Sequence, residues 1–143
     1  MPREIKFRGK QVGSGKWVYG LLLKNKLGIY IITEENPHEC TLYGYITIEQ
    51  YYRVIPETVG EFTGLKDKNG KEVYEPDLLF DGEQTWLVEY ARTMCGFHAR
   101  DIHAKSCNIF SLYHLCNRHN QKREVEVIGN IHDNPSLLEV SSC

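Results

Sequence analysis

Apolar and polar positions in this chain alternate in short runs; they do not recur every three or four residues over any long stretch. The runs "KWVYGLLLKN" (16–25) and "LGIYIITE" (27–34) are rich in leucine, β-branched and aromatic residues. Asn25, Lys26 and Gly28 punctuate them, which predicts a hairpin. "NPHECTLYG" (36–44) reads as a loop leading into "YITI" and "YYRVIP", and Pro56 is expected to end that half. The second half opens with "ETVGEFTGL", then "KDKNG", where Asn69-Gly70 predicts a primed hairpin turn with both residues at positive φ. "KEVYE" continues as a strand, Pro76-Asp77 turns the chain into "LLF", and Asp81-Gly82 turns it again into "TWLVEY". Turn signals this dense point to a small barrel or sandwich.

Residues 104–119 fit two patterns. Ile109, Leu112, Tyr113 and Cys116 make a helical stripe, while "IFSLYHL" also suits a strand, and periodicity alone does not decide. "EVEVIGNI" (124–131) alternates and predicts a strand. Asn134-Pro135 predicts an N-cap and first residue for a short terminal helix carrying Leu137 and Leu138. The expected class is therefore mainly β with minor α. An N-terminal β-hairpin unit spans residues 1–56, and a small SH3-like barrel-type unit with a short C-terminal helix spans 57–143. The step Glu75-Pro76-Asp77-Leu78-Leu79 suits that barrel type, because an aspartate can cap turn amides before an apolar pair enters the core.

Composition keeps this picture. Hydrophobic residues are 41 % and charged residues 25 % of 143, an ordinary globular balance. No apolar run reaches membrane-span length, and the start "MPREIKFRGK" has no apolar segment of a signal peptide, so a cytoplasmic protein is expected. Five cysteines, an odd number, argue for reduced thiols. The net charge is −2 but unevenly spread: residues 1–26 hold seven Lys or Arg against Glu4, and residues 57–89 hold nine acids against three lysines. The two segments would attract each other if they met.

Candidate chemistry is sparse. Cys95-x2-His98 and Cys116-x2-His119 repeat one spacing, and thiolate with imidazole is what a four-ligand zinc site uses; His103, Cys107 and His114 lie between as spare ligands. The competing reading is cysteine as a small apolar residue with histidines at wet edges. A nucleophile pair of Cys95 or Cys107 with His98 or His103 would need a third orienting group. "VGSGKW" (12–17) is not a phosphate loop, since the first glycine would fall on Lys10 and Trp17 replaces the Ser or Thr. "DKNG" is not a calcium loop, since the twelfth position from Asp67 is Leu78. Arg3, Lys6, Arg8, Lys10 and Lys16, with Trp17 and Tyr19, would suit single-stranded nucleic acid, the phosphates on the cations and the bases on the rings. Otherwise those rings belong to a core or interface. Glu72, Glu75, Asp77 and Asp81 read as turn residues.

Three stretches, "EIKFRGK…WVYG", "TVGEFTGLKDKNGKEVYEPDLL" and "EVIGNIHDNPSLLE", resemble the YopX family in order and spacing over nearly the whole chain. The resemblance implies one compact domain, and a phage or prophage protein working in the cytoplasm of a bacterial host. It implies self-assembly, no assigned enzymatic activity, and no catalytic residues. Gly64, Leu65, Asp67, Asn69, Gly70, Tyr74, Asp77, Gly129, Asn130, Asn134 and Pro135 become turn and packing residues. Two departures stand out: Pro76 replaces the family's glycine, and the Cys/His stretch is no family hallmark. The expectation is a non-enzymatic, self-associating binding module for an unknown phage or host macromolecule, without a cofactor. Its rivals are a nucleic-acid-binding small barrel and a zinc-stabilised domain or metal-dependent enzyme.

Overall fold

The computed structural model describes residues 3–33, 50–106, 108–117 and 124–139. The expected loop at 36–44 and the strand "YITI" lie outside them. The protein is mainly β, with antiparallel strands and two short helices. It divides into two compact units, Met1–Glu61 and Phe62–Cys143.

In the first unit β1 (Phe7–Lys10), β2 (Trp17–Asn25), β3 (Gly28–Ile32) and β4 (Tyr51–Arg53) pair antiparallel in sequence order. The expected hairpin is β2–β3. Its tip is held by Asn25, whose Oδ1 accepts the Leu27 and Gly28 N–H groups at 2.8 and 3.2 Å. The strands curl back on themselves. Val12 N donates to Arg53 O and Ile55 N to Lys10 O, each at 2.9 Å, so the end of β4 rejoins the end of β1. Ile31 and Val54 are buried. Pro56 opens a one-turn helix, Pro56–Thr58, whose Thr58 hydroxyl accepts Lys10 N at 2.8 Å. The Arg3 guanidinium meets Glu61, so one pair of the basic and acidic segments is joined.

In the second unit β7 (Asp77–Phe80), β8 (Thr85–Ala91), β9 (Gly96–Asp101), β10 (Ile109–Ser111) and β11 (Glu126–Asn130) form an antiparallel sheet in the order β10-β9-β8-β7-β11. The end of β5 (Gly60–Lys66) makes a hairpin with β6 (Glu72–Tyr74). The ambiguous stretch is both things at once: β10, then helix α1 (Leu112–Cys116). The switch lets Leu112 and Leu115, three residues apart on one helical face, join Trp86, Val88, Leu79 and Val127 in the main core. Alternation sends Leu78 and Leu87 the other way, against Ile102, Leu137 and Leu138.

Buried carboxylates set the turns. Asp67 Oδ1 accepts Asn69 N and Lys71 N at 2.8 and 2.9 Å, and Oδ2 accepts Val127 N at 3.0 Å. Lys68 N donates to Val125 O at 3.0 Å, so the hairpin turn is bound to the strand beside it. The turn differs from the expected primed form: Gly70 alone has positive φ (79°), and its N–H bonds Asp67 O at 3.0 Å. A turn followed by a left-handed glycine suits the three-residue loop that Asp67 anchors. The corner after β6 contains the cis peptide Glu75–Pro76, and Asp77 Oδ2 caps Tyr74 N at 2.8 Å, the capping expected of it. Asp81 accepts Glu83 N, Gln84 N and the Trp86 indole N–H.

In the terminal motif the Asn134 carbonyl accepts Leu137 N at 3.1 Å at the start of helix α2 (Ser136–Glu139), and its side-chain Oδ1 turns back to accept Asn130 N at 3.3 Å. The helix is so short that its Leu137 and Leu138 amides reach the carbonyls of Asn134 and Pro135 directly. Gly129 permits the reversal, because a Cβ there would lie 2.2 Å from Asn134 Oδ1. Asn130 Oδ1 accepts His132 N and Asp133 N, each at 3.0 Å, completing the turn.

Burial opposes ionisation of Asp67, but the Val127, Lys71 and Asn69 N–H groups and the Lys71 charge outweigh it and hold the carboxyl below its ordinary range. A lowered folded pKa contributes stability that is complete above the unfolded value, about 3.9, and is lost as pH falls through the folded value. Urea unfolding should show Asp67→Asn weaker by roughly 1–2 kcal/mol at neutral pH, with the gap to the parent closing below about pH 4. Gly129→Ala should cost about 2–3 kcal/mol, and adding Asn134→Ala should recover part of it, since the two side chains compete for one space.

Candidate functional site

The β1–β2 turn builds one wall of an open groove in the first unit. Gln11 N donates to Lys16 O at 2.9 Å and Gly15 N to Gln11 O at 3.0 Å, so the glycine-containing loop is a closed turn. The Ser14 hydroxyl bonds Gln11 Oε1 at 2.9 Å and accepts Lys16 N at 3.2 Å, placing Lys16 at the head of β2. Register sets Arg8 opposite Tyr19 and Lys10 opposite Trp17, so all four share a face. The Arg8 guanidinium lies 4.6 Å and the Lys10 ammonium 5.4 Å from the centre of a Trp17 ring, a cation–π stack that rigidifies the indole.

Across the groove Thr33 is tied to Gln50, N to O at 3.3 Å, and Tyr52 stands opposite Ile31 on β3. The groove holds about 590 Å³ and is lined by Gln11, Lys16, Trp17, Tyr19, Thr33 and Tyr52. That volume falls in the range of small-molecule sites, roughly 300–1,000 Å³. Among the described residues its chemistry is three aromatic rings, one ammonium, an amide, a hydroxyl and the apolar Val18, with no carboxylate.

Of the expected basic residues, Lys16, Trp17 and Tyr19 line this groove, and Arg8 and Lys10 support it from the indole face. Arg3 is paired with Glu61, and Lys6 lies 3.2 Å from Glu4. Gln11, Thr33 and Tyr52 escaped the sequence reading. No linear spacing puts Tyr52 beside Trp17; strand curling does.

The Cys/His stretch is spread out. Cys95 is exposed after the one-turn helix Arg92–Met94, in a left-handed conformation (φ 49°). His98 is buried on β9 with Nε2 3.3 Å from Glu89 Oε2, and Glu89 also accepts Arg100 at 2.9 Å. Cys116 ends α1 against the main core. His103 N is bound by Asp101 Oδ1 at 2.9 Å, and His114 belongs to α1. Cys107 and His119 lie outside the described residues. Among the described residues no three His, Cys, Asp or Glu side chains gather as a metal site. Burial, with the Asp67 charge added, pushes the Cys116 thiol up to about 11, so it is protonated at neutral pH.

Curled antiparallel strands, carboxylate-anchored turns and an open aromatic groove define a small, mainly β fold. The model of the YopX protein family matches residues 6–139. The chain therefore belongs to the YopX family. The crystal structure of protein EF1440 from Enterococcus faecalis is similar in fold, with a TM-score of 0.64 and 25 % identity, covering 96 % of this chain and 99 % of that one. No curated protein matches. Among the described residues no helix is long and apolar enough to cross a membrane.

Brief alkylation with iodoacetamide at neutral pH, followed by peptide mass mapping, should label exposed Cys95 well before Cys116, since thiolate and access both limit the reaction. Equal labelling would mean that α1 opens readily.

Proposed function

We propose that this protein is a phage-derived, non-enzymatic accessory module that works in the cytoplasm of a bacterial host, self-associates and binds a macromolecular partner. One observation carries self-association: a largely apolar row across β2, β3 and β4, with Arg53, the cross-strand partner of Tyr30, at its edge. Leu21, Ile32 and Tyr51 are cross-strand neighbours, and Leu23 pairs with Tyr30. Tyr30 and Tyr51 meet edge to face at 5.8 Å, which puts both rows on one face. Leu21, Leu23 and Tyr51 are 45, 39 and 58 % exposed. Clustered exposed apolar groups favour a cover. The cover proposed is a second copy of this chain. An apolar patch with its one cation, Arg53, at the edge can face itself across a two-fold axis that passes through the leucines and tyrosines and keeps the two Arg53 groups apart.

Sedimentation velocity and native mass spectrometry should give an oligomer for the parent. The double variant Leu21→Asp/Leu23→Asp should give a folded monomer, because a carboxylate buried in an apolar interface is strongly unfavourable. A monomeric parent, or a variant that assembles unchanged, would sink the proposal.

A further inference from the structure

We infer that the groove beside β2 binds single-stranded nucleic acid, with bases against Trp17, Tyr19 and Tyr52 and a backbone phosphate on Lys16. This rests on the reading of the protein as a binding module and names its partner. Three features carry it. The lining combines flat aromatic surface with one ammonium, and among the described residues it holds no carboxylate, so it is complementary to a ligand that is both planar and anionic. The indole is braced by Arg8 and Lys10, which fixes one ring and keeps positive charge beside the groove. Gln11 and Thr33 stand at the wall, where the Ser14 hydroxyl holds Gln11 Oε1 at 2.9 Å and the Thr33 hydroxyl donates to Gln50 Oε1 at 3.3 Å, so the Gln11 NH2 is the group there that could donate to a base edge.

The choice of a strand over a free nucleotide follows from charge spacing. A nucleoside di- or triphosphate concentrates its charge at one end and calls for several cations at one point. The groove offers a single ammonium next to several rings, which fits the one phosphate per base of a chain. Duplex DNA hides its base faces and would find only Lys16 and its neighbours to hold it.

The test is fluorescence anisotropy of a short labelled thymidine oligonucleotide with the full chain at low salt, beside a duplex of the same length and a free mononucleotide as competitor. The single strand should bind more tightly than the duplex. It should bind about threefold more weakly at about 200 mM than at about 50 mM salt, the dependence of about one phosphate contact. Lys16→Glu changes an exposed residue and should weaken binding severalfold with the fold intact. Tyr52→Leu should weaken it roughly tenfold, and Tyr52→Phe, which keeps the ring, should restore it. No binding at low salt, equal binding of the duplex, or indifference to both Lys16→Glu and Tyr52→Leu would overturn the inference, as would a mononucleotide that competes as well as the strand. If the oligonucleotide fails to bind while Leu21→Asp/Leu23→Asp still breaks the oligomer, this inference falls and the self-association reading stands. If both fail, the binding-module reading falls with it.

Discussion

A buried carboxylate that accepts backbone N–H groups from its own turn is the device on which the second unit depends, and Asp67 is its fullest case. Two of its three donors close the β5–β6 turn, and the third belongs to β11. Desolvating a carboxylate is costly, and a single donor would not offset that cost. Three directed donors and a nearby lysine do, so the group stays ionised inside the protein. Those donors would otherwise be unsatisfied amides next to a packed core. Asp77, Asp81 and Asp101 repeat the arrangement at successive turns, and Asn130 does so without charge.

This use of acids bears on function. The acidic middle of the chain resembles a site when read as a string of letters, yet its buried aspartates hold turns together. The basic head is also partly committed: Arg3 and Lys6 have carboxylate partners, and Arg8 is buried on an indole. Lys16 stands at the mouth of an aromatic groove, which is why that groove, with the apolar row on β2–β4, carries the proposals made for this protein. The groove is aromatic and cationic; the row, further along the same strand, is mostly apolar with Arg53 at its edge.

Much of the fold was legible because its signals are local. Asn25-Lys26-Leu27-Gly28 marks a hairpin whatever surrounds it, and the alternation of "EVEVIGNI" marks a half-buried strand. Local signals misled where a distant partner set the outcome. Asn69-Gly70 carries primed-turn chemistry, but Asp67 anchors a longer loop to β11, and only the glycine turns left-handed. Asn134 stands where its local signal puts it, ahead of α2, but only the missing Cβ of Gly129 gives its Oδ1 room to accept Asn130 N. Residues 109–116 follow both periods because the chain obeys each in turn.

The candidate site divides the same way. The sequence by itself determined the residue types at hand: a basic, aromatic head, an acidic turn-rich middle, and thiols and imidazoles too loosely spaced for their use to be read. Those are properties of neighbours along the chain. Only the tertiary structure decided which of them meet. Cross-strand register stacked Arg8 and Lys10 on Trp17, and the return of β4 to the end of β1 set Tyr52 across from Lys16. Such contacts depend on how far the strands twist before closing, a property of the packed core that no short window of residues encodes.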